Sequence, residues 1–336
     1  MRLPPSLESD SPHRKLIMEP WVVGIDLGGS KIELGLIDPQ NRIVARKKIP
    51  TKAEEGPEAA VERMAAVVGE FTGRLPEGES IASLGICCPG PLDHEAGLLI
   101  NPTNLPKFYN VPLRQMLSDR LNVPVSMEHD AKAAGLGEFY YGAGRNEPSM
   151  VFTVIGTGVG AAIILNGELI RGVKNFAGEV GHATVDRNGE SCACGSRGCL
   201  DAYVSGPSLA RRYLRLQEQE KNPISAPDAP ITGETVARLA RDGDPLALEI
   251  MTEAGEALGI AVATMAMILD IELYVFGGSV PKCGDTLLAP ARRTVPRYSF
   301  RTVGPRVRLL VSELGDDGPI LGCGWLARQI LEEAHR

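Results

Sequence analysis

The sequence predicts a mixed α/β protein of two units, each opening with a strand, a glycine-rich turn and a second strand. Three observations predict it. The chain has 336 residues and is 43% hydrophobic, enough for a large core but long for one compact unit. The run Trp21–Asp26 (WVVGID), Leu27–Lys31 (LGGSK), Ile32–Asp38 (IELGLID) recurs in kind about 130 residues on, as Met150–Ile155 (MVFTVI), Gly156–Gly160 (GTGVG), Ala161–Leu165. Helix-period segments separate the strand patterns. Two such turns facing each other across a cleft could hold the phosphates of one nucleotide.

In chain order, Met1 to Pro20 carries three prolines before Glu19 and no apolar run of signal-peptide length, so it is expected to be a disordered tail that directs no secretion. After the first strand pair, a turn at Asp38–Asn41 leads to a strand at Arg42–Ile49, giving an antiparallel meander. Pro57–Arg74 has helical spacing at Ala60, Met64, Val67, Val68 and Phe71, and Ile81–Ile86 reads as a strand ending at Pro89-Gly90-Pro91. Val125–Asp130 reads as a strand entering a helix at Ala131–Tyr141. In the second unit, Asn166-Gly167 turns the chain into Glu168–Ile170. Residues 207–270 read as helical with a break at Asn222–Pro230, before a strand at Glu272–Phe276 and its Gly277-Gly278 turn. The apolar stretch Leu246–Leu269 carries Glu249, Glu253 and Glu256, which a membrane span would not tolerate, so it is expected to be a core helix.

The net charge is −7 with scattered basic residues, which favours neither nucleic acid nor a membrane surface as partner and points to a small molecule. Seven cysteines, three of them within eight residues, suggest reduced thiols and a metal, hence the cytoplasm.

Glycines at strand ends let backbone N–H groups approach anionic oxygens, so each turn is a candidate phosphate cradle, although an ordinary hairpin would also explain either one alone. Gly156, Gly158 and Ala161 also fit G-x-G-x-x-A, with Glu179 about 20 residues on. The dinucleotide fingerprint needs a helix directly after the glycines, whereas Ala161–Glu168 reads as a strand entering a hairpin, so a dehydrogenase is rejected. A P-loop enzyme is excluded by the lack of a G-x-x-x-x-G-K-[ST] run.

His182, Cys192, Cys194 and Cys199 form H-x9-C-x-C-x4-C, four ligands on a glycine-rich segment that point to a closed, structural tetrahedral zinc site. Such a clamp would hold Glu179 and Asp201 near one another in a rigid polar pocket. Cys87, Cys88, Cys283 and Cys323 read as core or loop residues. Asp130, at a strand end and helix start, has an N-cap explanation. Beside two candidate phosphate turns it is also the carboxylate that phosphoryl transfer to a hydroxyl needs.

With these segments in view, Gly24–Lys31, Glu128–Glu138, Gly156–Gly160, Ala177–His182 and Cys192–Gly206 (CACGSRGCLDAYVSG), the chain from about Val22 to its C-terminus resembles the ROK family of sugar kinases and related repressors. The resemblance implies a two-lobed actin-like ATPase (ribonuclease H-like) fold with duplicated α/β domains around a central cleft. It implies a small domain at 21–126 joined by a C-terminal helix at 318–336, and a large domain at 127–317 with a zinc-binding segment at 182–199. Asp26, Gly28, Gly29, Ser30 and Lys31 would meet the ATP phosphates and Mg²⁺. Gly156, Thr157, Gly158 and Gly160 would meet the second phosphate side, and Gly277 and Gly278 the adenosine. Asp130 would be the general base. Glu179 and His182 would bind sugar hydroxyls, His182 ligating zinc through its other nitrogen, with Gly90 and Asn104 in the same pocket. Two sugar-facing positions depart from the family pattern, His129 where Asn is usual and Asp201 where Glu is usual.

The expected activity is ATP-dependent phosphorylation of a hexose, glucose to glucose 6-phosphate first, by a homodimer or homotetramer. N-acetylmannosamine, N-acetylglucosamine, fructose, mannose and allose are alternative substrates. A sugar-responsive repressor is disfavoured, since its helix-turn-helix needs roughly 60 residues before the first strand and only about 20 precede Trp21.

Overall fold

A computed structural model of the chain describes residues 20–219 and 230–334. The expected N-terminal tail, up to residue 19, and most of the expected break at 222–230 lie outside the described residues.

The first lobe is built on β1 (Trp21–Leu27), β2 (Lys31–Ile37) and β3 (Ile43–Pro50), then α1 (Pro57–Thr72), β4 (Ile81–Cys88), the short hairpin β5 (Leu92–Asp93) and β6 (Leu98–Leu99), α2 (Leu113–Leu121) and β7 (Val125–His129). The sheet order is β3-β2-β1-β4-β7, antiparallel through β1, β2 and β3 and parallel through β1, β4 and β7. Strand sequence matches position. Central β1 and β4 are apolar runs covered on both faces, whereas edge strand β3 alternates half-buried and exposed residues, as a one-sided strand must. Helix α1 starts with Pro57 at its first turn and turns Ala60, Val61, Met64, Val67, Val68 and Phe71 onto the outer sheet face, the apolar stripe of a surface helix.

The second lobe comprises α3 (Asp130–Tyr141), β8 (Met150–Ile155), β9 (Val159–Leu165), β10 (Glu168–Leu169), α4 (Asp201–Val204), α5 (Gly206–Gln219), α6 (Gly233–Arg241), α7 (Pro245–Leu269), β11 (Leu273–Gly277), α8 (Asp285–Thr294), β12 (Arg308–Val311) and α9 (Gly318–Ala334). Its sheet order is β10-β9-β8-β11-β12, antiparallel through β8, β9 and β10 and parallel through β8, β11 and β12. Both sheets therefore follow one plan, a central strand with two antiparallel neighbours on one side and two parallel ones on the other. The repeat in the sequence is a repeat of topology, and the fold is the two-lobed actin-like ATPase fold.

The lobes share an inner helical layer. Helix α3 follows the last strand of the first sheet but packs on β8 and β9 of the second, while α9 follows the last strand of the second sheet and packs on β1 and β4 of the first. The two helices pack against each other, and Gly322 makes this possible, because a Cβ there would stand 1.7 Å from the Ala133 carbonyl oxygen. The expected domain boundary between 126 and 127 lies inside β7, which pairs with β4 through His129. Helix α7, apolar and long enough to cross a membrane by composition, packs Ile250, Ala254, Leu258 and Val262 into the second lobe's core.

Element ends shift by one or two residues from the sequence reading, and two of the shifts bear on the site. Strand β9 begins at Val159, so Gly160 pairs with Val154 inside the sheet and the turn shortens to Gly156–Gly158. The N-cap of α3 is His129, with Asp130 the first helical residue.

Candidate active site

Parallel strands of an open α/β sheet direct their C-terminal ends at a ligand cleft. Here β1, β4 and β7 end at Leu27, Cys88 and His129, so Asp26 and Asp130 stand at one sheet edge with β4 between them. The Ala131 N–H donates to Asp130 Oδ1 at 2.6 Å and to His129 Nδ1 at 3.3 Å, and these two acceptors lie 3.1 Å apart. The Asp130 side chain is 45% exposed, free to meet a ligand. Asp26 is half-buried and accepts from the Cys87 thiol at 3.5 Å. Burial, reinforced by the nearby Asp130 carboxylate, pushes its carboxyl up to about 6. Two acids so placed favour a cation between or beside them.

The first glycine turn follows Asp26 directly, and the strand after the second packs Gly160 on Ala131 beside Asp130. In the first, Gly28 N–H donates to Lys31 O at 2.9 Å, Thr51 closes the turn through Gly28 O (2.7 Å) and Ser30 O (3.0 Å), and Ser30 and Lys31 are exposed. A Cβ at Gly29 would stand 2.7 Å from the Asn104 carbonyl oxygen, so Asn104 lies directly against this turn. In the second, Gly156 N–H donates to Gly158 O at 3.0 Å and the Gly156 carbonyl accepts from Gly206 N–H at 2.8 Å, leaving Thr157 and Gly158 exposed. Gly158 faces Asp201 Oδ2, and Gly160 faces Ala131 and the His129 ring. Gly90 covers the other side of that ring, its Cβ position 3.0 Å from Cδ2. The strand that follows the second turn, not a helix, removes the dinucleotide reading on structural grounds.

The Gly277-Gly278 turn presses on the end of β8: Gly278 has φ +94° and a Cβ there would meet the Ile155 carbonyl at 2.3 Å. Beside it opens a cleft of about 250 Å³ lined by Glu234, Ala237, Arg241, Ser279, Lys282 and Cys283. A wider hollow of about 520 Å³ between Glu55 and Met116 includes none of the predicted site residues.

The segment carrying Glu179 and His182 is fastened to β9. Gly178, at φ +96°, accepts from Ala161 N–H at 3.0 Å, and the His182 N–H donates to Glu179 O at 3.0 Å. His182 Nδ1 lies 3.7 Å from Cys192 Sγ, Cys194 Sγ lies 3.7 Å from Cys199 Sγ, and the ligand atoms of all four residues lie within 4.8 Å of one another. A tetrahedral ion with bonds of about 2.3 Å to sulfur has edges of about 3.8 Å, so the spacing fits zinc. Burial, with the adjacent Cys192 and Cys194 sulfurs, pushes the Cys199 thiol up to about 12, a crowding that a bound cation would relieve. The cluster ties Cys199 to Thr184 and so places Asp201, whose Oδ1 accepts from Ser205 Oγ at 3.2 Å. Cys87, Cys88, Cys283 and Cys323 are buried.

Sequence reasoning missed the charged network behind Asp130. Glu128, fully buried, accepts from Arg171 Nε at 2.7 Å, Asn175 Nδ2 at 3.3 Å and the His129 N–H at 2.9 Å. His94 Nδ1 lies 3.5 Å from Glu128 Oε2 and 2.8 Å from the Met127 carbonyl. Despite burial, Arg171 and His94 hold the Glu128 carboxyl below its ordinary range. The available signal was a glutamate inside a strand, whose charge, once buried, demands a partner.

Comparison with known proteins places this geometry in a family. The model of the ROK family matches residues 22–330. A glucokinase of Halalkalibacterium halodurans is 32% identical over 92% of this chain and 95% of its own length. A xylose repressor of Caldicellulosiruptor bescii is 29% identical over 90% of this chain and 76% of its own. A crystal structure of a ROK family glucokinase from Streptomyces griseus, in complex with glucose and AMPPNP, superposes with a TM-score of 0.75 at 30% identity, covering 92% of this chain and 99% of that one.

Proposed function

The chain belongs to the ROK family, and from that premise we propose that it is an ATP-dependent sugar kinase, with glucose and its 6-hydroxyl the first substrate to test. The observation that carries the reading is Asp130, exposed at a strand–helix junction near Asp26 and beside Gly160, which follows the second glycine turn. The hydroxyl oxygen bonds to the γ-phosphorus of ATP, the bond from that phosphorus to the bridging oxygen of ADP breaks, and Asp130 accepts the hydroxyl proton. Backbone at half-buried Gly29 and at exposed Ser30, Thr157 and Gly158 receives the phosphates, and the cleft beside Gly277-Gly278 receives the adenosine. Asp26 would hold Mg²⁺ and Lys31 the phosphates of ATP, the cation supplying charge neutralisation on the phosphates when bound.

The sugar lies against Asn104, Glu179, His182 and Asp201. His182 turns Nδ1 toward the cysteines, which leaves Nε2 for a sugar hydroxyl. A zinc ion at His182, Cys192, Cys194 and Cys199 would supply a rigid brace for this wall. Closing the lobe built on β1–β7, with α9 packed on its sheet, onto the second lobe excludes water from the cleft. His129 and Asp201 leave N-acetylhexosamines, fructose, mannose and allose as competing substrates. The reading also places the protein in the cytoplasm as a homodimer or homotetramer.

An ADP-release assay over hexoses, amino sugars and N-acetylated sugars tests it. Sugar-dependent release with at least one of them is expected, and failure with every sugar and triphosphate overturns it. The repressor relative supports a second reading, a sugar-responsive regulator; tight sugar binding with no ADP release would favour that one.

A further inference from the structure

Lys132 lies two residues after Asp130 and is only 3% exposed. A lysine in the first turn of a helix ordinarily reaches solvent, and burying its ammonium is costly unless it is paired. Its nearest acid, Glu128, is already engaged by Arg171. Instead the ammonium donates to Asn175 twice, to the backbone oxygen at 2.6 Å and to Oδ1 at 2.5 Å. Asn175 returns the connection by donating Nδ2 to Glu128 Oε1. One amide therefore bridges two buried charges on either side of Asp130.

Asn175 belongs to a closed loop. The Ala177 N–H donates to Arg171 O at 3.0 Å, Asn175 itself has φ +61°, and Gly178 and Glu179 follow at once. The loop's apolar side chains point outward, Val173 at 96% and Phe176 at 57% exposure, so hydrophobic packing does not hold it down. Its anchors are polar: Lys132 and Glu128 beneath Asn175, and Glu128 against Arg171.

We propose that Lys132 is a positioning residue for the transferase reaction: through Asn175 its ammonium fixes the 171–177 loop and so sets where Glu179 stands relative to Asp130. This rests on the kinase reading above. An apolar residue at 132 would relieve a buried charge and need not weaken the fold; what it would lose is the register between the sugar-binding wall and the base.

The test compares wild type, Lys132→Met, Asn175→Gly, which keeps the left-handed backbone, and the double variant. Expected is a rise in KM for the sugar on the order of tenfold in each single variant, with KM for ATP near wild type in both and thermal stability near wild type in Lys132→Met. The double variant should be no worse than Lys132→Met, because both remove one connection. Amides of residues 171–179 should exchange hydrogen faster in both single variants. An unchanged sugar KM in Lys132→Met, single effects that multiply in the double, or a joint rise of both KM values with a lowered melting point would overturn the proposal. If Lys132→Met does not fold, Asn175→Gly decides by the same readouts. If wild type phosphorylates no sugar, the kinase reading fails, and the exchange comparison alone decides whether Lys132 holds the loop.

Discussion

The turns at Leu27–Lys31 and Gly156–Gly158 read alike in the sequence and occupy equivalent places in two sheets of one topology, yet glycine serves different ends in them. At Gly29 the protein itself demands it, since a Cβ would strike the Asn104 carbonyl oxygen. At Gly156 and Gly158 the nearest atoms to a Cβ lie 3.9 and 3.6 Å away, and neither residue has positive φ. The first turn also follows a strand bearing Asp26, whereas the second follows Val154 and Ile155. Duplication has kept the frame and divided the duties: the first lobe supplies Asp26, the second an open backbone surface and the wall carrying Glu179 and His182, and Asp130 stands where the two join.

The largest effect should come where the halves meet. Asp130→Asn is expected to lower kcat by about 10²–10⁴-fold while calorimetry shows sugar binding largely retained. A variant with near-normal turnover would remove Asp130 from the mechanism.

Asp26 sharpens the asymmetry through pH. Its folded carboxyl is raised from 3.8 to about 6, so its stabilising contribution is fully present below about 4 and is lost as pH rises through 6, a change on the order of 3 kcal/mol. Ligand-free Asp26→Asn should therefore melt higher than wild type at pH 7, with the gap closing below pH 4, and yet turn over poorly. In wild type, KM for Mg²⁺·ATP should rise as pH falls below 6. A melting point for Asp26→Asn at or below wild type at pH 7 would show that burial does not strain this acid.

The cysteine segment is hydrogen-bonded to residues of the second lobe. Cys199→Ser, or chelation, should lower the melting point by roughly 5–10 °C and raise KM for the sugar, leaving KM for ATP near wild type. An equal loss for both substrates would mean that the brace reaches the first turn as well.

How far the sequence could be read follows from range. The turns, the H-x9-C-x-C-x4-C cluster and Asp130 were legible because each is a local pattern whose chemistry is written within a few residues. Helices α2 and α8 and strand β12 were not. Their segments are short, and α2 buries only Leu113 and Leu117, too few for a period to emerge. Nor could spacing reveal that α3 and α9 each cross to the other sheet, which is a matter of packing between residues such as Ala133 and Gly322. The bridge from Lys132 through Asn175 to Glu128 spans 43 and 47 residues, and its only local sign was charge in an apolar setting.

The smallest expected effects discriminate best between the two turns. Gly29→Ala must push the Asn104 backbone aside, at a cost of about 1–3 kcal/mol, and should raise the KM of sugar and ATP together because Asn104 moves with the turn. Gly156→Ala has room and a permissive backbone, and alanine restricts the unfolded chain, so stability should stay within about 0.5 kcal/mol of wild type. If the second turn cradles phosphate, the added methyl group still stands where backbone must approach oxygen, and KM for ATP rises with no change in melting point. Isothermal titration of both variants with ADP, beside their melting curves, separates the cases. A Gly156→Ala protein that binds ADP as wild type does would make its glycine a feature of the hairpin and not of the ligand site.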